Sequence, residues 1–565
     1  MPTAKSVASD YDFIIIGGGS AGCVLANRLS ADPSVRVALI EAGPSDRSFP
    51  ANIKTRLPSG MLFLLPHAKY NWQYSFTGKA GINGRSVICP RGKVLGGTSS
   101  VNGMIYIRGH RLDYDEWAAL GNPGWSYAEV LPYFKKHENN PHGEAGYHGK
   151  GGEVEVGVPT QINLLSRAFV KAAAEAGQPM TTDNNGASQD GIGLNHVNHK
   201  YGKRFSSSRA FLHPIWNRPN LTIITEALVE RIDFQDKRAT GVTMTRAGQR
   251  QSLTAAREVL LCGGAINSPQ LLMLSGIGPR AELQRHGIEV RVDLPGVGQN
   301  LQDHPTVQVT MSNPGGESYA LSPRNWLNVL TSPISYLFGH KGMLGTHGAE
   351  AGGYIRTRQG LDRPDVQLTF VAGHKKSLAQ MPRTHGMMTM VHLMRPRTRG
   401  YIELTSARPT DKPALHPNFL EDPEDVQTLL RGVRDVRRML ASPAIARYTG
   451  EELTPGGELV SDEQLIQAIR AQVGTAYHPV GTCKMGPASD PLAVVDAKLR
   501  VYGVQGLRVV DASIMPNIIG GNTNAPTMMI GERAASFILN PQDEAQEQAP
   551  VRQDAVRDRE LEVLA

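Results

Sequence analysis

The chain has 565 residues, of which 40% are hydrophobic and 20% charged, with 60 glycines, 37 prolines and a formal net charge of +7. That length supplies core for two domains of an ordinary soluble protein, and the glycine and proline content argues for many loops and against a helical bundle. The basic residues form no run and do not alternate with aromatics, so nucleic acid is not an expected partner. The cysteines, Cys23, Cys89, Cys262 and Cys483, include no CxxC pair. Reduced thiols in a cytoplasmic setting are expected, with neither a disulfide framework nor a metal site. Residues 1–10 carry one lysine and no apolar core, so no signal peptide is expected, and with no segment offering roughly 20 apolar residues no membrane span is expected either.

In chain order, residues 13–16 are a continuous apolar run suited to a strand buried on both faces, and 20–30 read as the following helix. Between them lies Gly17-Gly18-Gly19-Ser20-Ala21-Gly22. Gly17 permits a tight turn, Gly19 lets backbone approach a pyrophosphate, and Gly22 lets helix and strand pack closely. A second strand over 35–40 ends at Glu41, which can accept from both hydroxyls of an adenosine ribose. A dinucleotide is therefore expected, with NAD and FAD not yet separated. The block Pro90-Arg91-Gly92-Lys93-Val94-Leu95-Gly96-Gly97-Thr98-Ser99-Ser100-Val101-Asn102-Gly103 exposes many backbone N–H groups, suited to a phosphate or to ring carbonyls. A strand over 259–261 leading into the glycine turn at Gly264 and a helix repeats the dinucleotide-domain layer.

Residues 326–338 are strongly apolar; they read as a core or channel segment broken by Pro333, or alternatively as a surface that touches lipid. Residues 387–393 and 400–404 read as strands. Residues 423–440 read as a helix with Leu429, Leu430, Val433, Val436 and Leu440 on one face. Toward the end come Tyr477-His478-Pro479-Val480-Gly481-Thr482-Cys483-Lys484-Met485-Gly486, Val510-Asp511-Ala512-Ser513 and Gly521-Asn522-Thr523-Asn524-Ala525-Pro526-Thr527. The tail from 541 to 565 reads as a solvated, flexible extension.

These blocks, in this order, resemble the glucose–methanol–choline (GMC) family of flavoprotein oxidoreductases over 11–539, and most of all its bacterial alcohol and choline dehydrogenases. The resemblance implies an α/β fold with a Rossmann-like FAD-binding domain and a discontinuous α+β substrate-binding domain. Residues 1–160, 203–312 and 470–540 would form the first, and 161–202 with 313–469 the second. It implies FAD held by Gly17, Gly19, Ser20, Ala21, Gly22, Glu41, Ala42, Trp72, Arg91, Gly92, Gly97, Thr98, Asn102, Gly103, Val229, Asp511, Ala512, Asn522 and Thr523. Valine stands at 101, where members with covalent flavin carry a histidine, so the FAD is expected to be non-covalent. The family's catalytic histidine falls on His478 and its second polar catalytic position on Asn522. A neutral imidazole there can take the hydroxyl proton while the amide steadies the developing alkoxide. His304 and His347 lack such a frame and read as structural or channel residues.

The implied reaction is oxidation of a primary alcohol to an aldehyde, with electrons passed to a quinone-type acceptor. An oxidase using O2, a choline dehydrogenase, a non-redox or light-driven lyase of the same fold and a non-catalytic flavin scaffold are the alternatives. Glu350 and Tyr477 are the substrate-side candidates. Glu350 can pair with a trimethylammonium group or serve a structural salt bridge. The positive charge reads as solvated surface, with peripheral contact to an anionic membrane as the second reading; the oligomeric state is left open.

Overall fold

In the computed structural model, which describes residues 10–374 and 383–540, the apolar run near the N-terminus is the strand Tyr11–Ile16. It lies between Val37–Ile40 and the end of Gln249–Leu261, parallel to both. Leu221–Ile224 extends the sheet beyond Val37–Ile40, and Leu507–Val509 pairs with residues 259–261. The first half of Gln249–Leu261 leaves this parallel array and joins Arg238–Arg246 and Ala227–Gln235 in an antiparallel ribbon. Helix Ser20–Leu29 covers the sheet and packs against the last helix, Asn524–Leu539. Branched and aliphatic side chains buried on both faces, such as Ile14, Ile15, Leu39 and Leu260, make this layer the centre of the larger core.

A second seven-stranded sheet is antiparallel throughout. It runs Glu452–Thr454, Pro305–Ser312, Gly386–Leu393, Val366–Val371, Ala351–Ile355 and Gly191–Leu194, with Gly474–Thr475 also pairing to Pro305–Ser312. Helices Pro423–Leu440 and Leu164–Glu175 pack against it. The first of these starts where Asp422 accepts from the Glu424 N–H and proline occupies the first turn; its Leu429, Leu430, Val433, Val436 and Leu440 are all buried. A five-stranded sheet that includes Tyr74–Phe76, Val87–Cys89 and Gln299–Leu301 is the third. Among the described residues all four cysteines are buried and free, and no group of three or more His, Cys, Asp or Glu is placed to hold a metal.

Pro305–Ser312, which the expected boundary at residue 312 would place with the FAD-binding segments, is an inner member of the antiparallel sheet. One expectation is corrected. Residues 326–338 are not a broken core or channel segment. They form one helix, Trp326–Gly339, with only Ser332 buried. Pro333 is exposed, so the backbone bond it forfeits lies where water replaces it. Residues 541–565, expected to be a flexible extension, lie outside the described residues.

Candidate active site

A cavity of about 640 Å³ runs between the parallel sheet and the antiparallel one. At its first end stand two helix N-termini, Ser20–Leu29 and Asn524–Leu539, joined where the Ser20 hydroxyl donates to Asn524 Oδ1 at 2.7 Å. Two adjacent helix N-termini, each with first-turn N–H groups and the positive end of a helix dipole, suit a diphosphate. A Cβ on Gly22 would fall 2.0 Å from the Gly17 carbonyl oxygen, and one on Gly97 would fall 2.8 Å from Gly19 Cα. The two glycine loops therefore touch backbone to backbone. Gly19 and Gly103 line the cavity, and a Cβ on either would meet no protein atom within 4 Å. The chain leaves that space for a ligand to fill.

Glu41 is buried at the end of Val37–Ile40 and accepts from the Gly18 N–H at 3.0 Å and the Gly43 N–H at 2.8 Å. Burial pushes its carboxyl up to about 7, against the pull of those donors and of Lys93. A carboxylate in so dry a place is stabilised by further hydroxyl donors, the chemistry a ribose offers. Asp511 caps the turn Ala512–Ile514 by accepting from the Ser513 N–H. It also accepts from the Ser268 hydroxyl at 2.6 Å and the Gly264 N–H at 2.8 Å, which ties the C-terminal block to the helix Gly264–Leu274.

At the other end His478 and Asn522 meet, with Asn522 Nδ2 3.1 Å from His478 Nε2. The loop that carries His478 is fixed from several sides. Asp303 accepts from the His478 N–H at 2.9 Å, the His304 N–H at 2.7 Å and the Thr475 hydroxyl at 2.5 Å, while Arg91 donates to the Tyr477 carbonyl at 2.7 Å. Tyr477 itself adopts φ +67°, a left-handed conformation costly for an aromatic residue and maintained by these bonds. Burial raises the Asp303 carboxyl to about 6.

The hydrogen-bond chain also assigns the imidazole tautomers. His304 Nε2 lies 3.1 Å from the Ile519 carbonyl, which only accepts, so Nε2 carries the hydrogen. In the neutral ring His304 Nδ1 is then an acceptor, and His478 Nδ1, 3.0 Å away, is the donor. His478 Nε2 is left unprotonated, with its lone pair accepting from Asn522 Nδ2 in the cavity wall. Asn522 is oriented in turn, because Gln367 Nε2 donates to its Oδ1 at 3.1 Å and leaves Nδ2 as the donor toward His478. Burial lowers His304 and His392 to about 3, and it drives His478 well below the usual imidazole range with help from His304, His392 and Arg91. All three rings are neutral at pH 7.

Of the residues expected from sequence, Gly17, Gly19, Ser20, Ala21, Glu41, Ala42, Trp72, Arg91, Gly92, Gly97, Thr98, Asn102, Gly103, Val229, Tyr477, His478, Asp511, Ala512, Asn522 and Thr523 all line this one cavity, as does Val101. Gly22 does not; it is where the first helix and strand meet. Glu350 does not either, and its expected substrate role is corrected. Its carboxylate is fully buried and accepts from the Asn163 N–H and the hydroxyls of Ser166, Tyr319 and Thr346 at 2.6–2.9 Å, with no cation against it. Neither a substrate pair nor a salt bridge describes it. His347 lines the cavity. Sequence reasoning passes over Asp303 and Gln367 and reads His304 only as a structural or channel residue; all three build the site without belonging to one of the recognised blocks.

Comparisons with known proteins place the whole chain in a family. Family models for GMC oxidoreductase match residues 11–306 and 396–531. An alcohol dehydrogenase [acceptor] of Pseudomonas putida is 44% identical over 543 residues, covering 95% of this chain and 97% of the relative. The mitochondrial choline dehydrogenase of Mus musculus is 43% identical, covering 95% of this chain and 91% of its own. Among solved structures, pyridoxine 4-oxidase from Mesorbium loti superposes with a TM-score of 0.84 at 30% identity, over 94% of this chain and 99% of that one.

Proposed function

We propose that this chain, which belongs to the GMC oxidoreductase family, is an FAD-dependent enzyme that oxidises a neutral primary alcohol to its aldehyde with His478 as the base. One observation carries this reading. The unprotonated Nε2 of His478 and the Nδ2–H of Asn522 are hydrogen-bonded partners side by side in the wall of the cavity that the dinucleotide loops also line. A hydroxyl placed there gives its proton to Nε2 while the Asn522 amide stabilises the oxygen as charge builds. FAD supplies the acceptor for the hydride that leaves the alcohol carbon. Gln367 and His304 hold the two groups in the orientation this requires.

The parallel sheet with the two helix N-termini would form the FAD-binding part, assembled from several stretches of chain, and the antiparallel sheet the substrate part. Attachment of the cofactor is non-covalent in this reading, since Val101 cannot bond to it. Acid precipitation of the purified protein is expected to release intact FAD into the supernatant; flavin that stays with the polypeptide contradicts this.

A neutral substrate is favoured over choline by the charge of the lining. Among the described residues its only carboxylates are Glu41 and Asp511, both at the dinucleotide end, whereas Ile105, Val371, Met388 and Met390 contribute apolar wall. A trimethylammonium group would find aromatic faces at Trp72 and Tyr477 but no anion to pair with. The test is an alcohol panel, 1-alkanols against choline, run with and without O2. Alkanols are expected to gain on the order of 0.8 kcal/mol for each methylene buried. The electron acceptor in this reading is a quinone-type compound, and oxygen consumption matching alcohol turnover would replace it with O2.

A further inference from the structure

The helix Trp326–Gly339 reverses the usual arrangement of a surface helix. Its inward side carries Val329, Ser332 and Tyr336, and its solvent side carries Trp326, Leu327, Leu330, Ile334, Leu337 and Phe338. At 100° per residue those six fall within a 120° stripe. Leu337 is 73% exposed and Phe338 88%. Exposing such a stripe to water is unfavourable, and covering it with something apolar relieves that cost.

The charges around the helix indicate what the covering surface is. From Ser318 to Ala349 the chain has no Asp or Glu, while Arg324 and Lys341 stand at the two ends of the helix and are exposed. Arg56 is exposed beside it, with its carbonyl accepting from the Tyr336 hydroxyl at 3.4 Å, and Lys203 lies close to His340. The segment is also continuous with the cavity. Leu344, just after the helix, accepts from Ser59, next to the cavity-lining Met61, and His347 and Ala349 are themselves cavity wall.

We propose that this helix is a membrane-docking surface, seating its apolar stripe among the acyl chains of an anionic bilayer with the basic residues on the headgroups. No described helix is long and apolar enough to cross a membrane, so the contact is peripheral. It places the cavity wall next to the phase in which apolar alcohols and quinone-type acceptors dissolve. The binding itself does not depend on the redox assignment.

The test is co-sedimentation of the FAD-loaded protein with vesicles of phosphatidylcholine containing phosphatidylglycerol, and with vesicles of phosphatidylcholine alone. Binding is expected to the anionic vesicles, to weaken with added salt, and to fall on the order of 100-fold or more in Leu330→Gln/Ile334→Gln/Leu337→Gln. Turnover of a water-soluble alcohol with a soluble dye is expected to be unchanged in that variant. If the triple variant loses FAD, Phe338→Gln and Lys341→Gln, tested singly, are each expected to weaken vesicle binding several-fold. Wild-type protein that ignores anionic vesicles, or variants that bind them equally well, overturns the proposal. So does a wild-type oligomer, seen by sedimentation velocity, that these substitutions dissociate, because a second copy would then be what covers the stripe.

Discussion

Replacing His478 with alanine is expected to leave FAD bound and to slow flavin reduction by alcohol roughly 10²–10⁴-fold, the usual worth of a positioned base. FAD retention follows from the separation of the two ends of the cavity, since the glycine loops, Glu41 and the helix N-termini do not rest on the imidazole. The pH profile carries an independent signature. The active form is the unprotonated ring, and its proton affinity is depressed by burial and by His304, His392 and Arg91. The active fraction therefore rises with pH through a value below the ordinary 6.5 and is complete above it. Wild-type reduction is expected to be flat from neutral pH upward and to fall only in acid, and the alanine variant is expected to lack that limb. Near-normal reduction in the variant would move the base elsewhere.

The second large effect is expected at His304, a positioning residue for His478. His304→Leu removes the acceptor for His478 Nδ1–H, after which the proton is free to sit on Nε2 and take up the lone pair that serves as the base. A wrong tautomer costs on the order of 10⁴-fold in a serine protease whose orienting aspartate is changed to asparagine. A loss of about 10–10³-fold in flavin reduction is expected here, because Asp303 and Arg91 still hold the loop. His304→Asn restores an acceptor oxygen near the position of Nδ1 and is expected to recover most of the rate. Removing His304 also removes one cause of the low proton affinity of His478, so the acid limb should move to higher pH. A merely structural role would lower FAD content or thermal stability in both variants alike, with no rescue by asparagine and no shift of the limb.

The difference between His478 and His304 shows what the sequence made legible. Strand, glycine turn, helix and acid are local requirements of a backbone approaching a dinucleotide, so residues 12–41 declared both the element order and the ligand class. The helix Pro423–Leu440 was equally plain, since its cap, its proline and its apolar face lie within one stretch. His304 acts through a partner 174 residues away, and the Ile519 carbonyl that sets its tautomer is 215 away. No spacing rule reports such a meeting. Glu350 misled because an acid beside glycines suggests a cation, whereas the donors that occupy it come from Asn163, Ser166, Tyr319 and Thr346, which only folding assembles. Residues 326–338 misled in the opposite direction. Apolar character reads first as burial, with a lipid-facing surface as the alternative, and the fold turns that face outward.

The central claim, that a neutral primary alcohol gives its hydroxyl proton to His478 and its hydride to FAD, is met most directly by mixing the purified protein anaerobically with a series of 1-alkanols and with choline. The absorption of oxidised flavin is recorded as they mix. Bleaching by the alkanols, faster with chain length until the apolar wall is filled and faster than with choline, is the predicted result. Flavin that stays oxidised with every alcohol, or that is bleached by choline and by no alkanol, would contradict it.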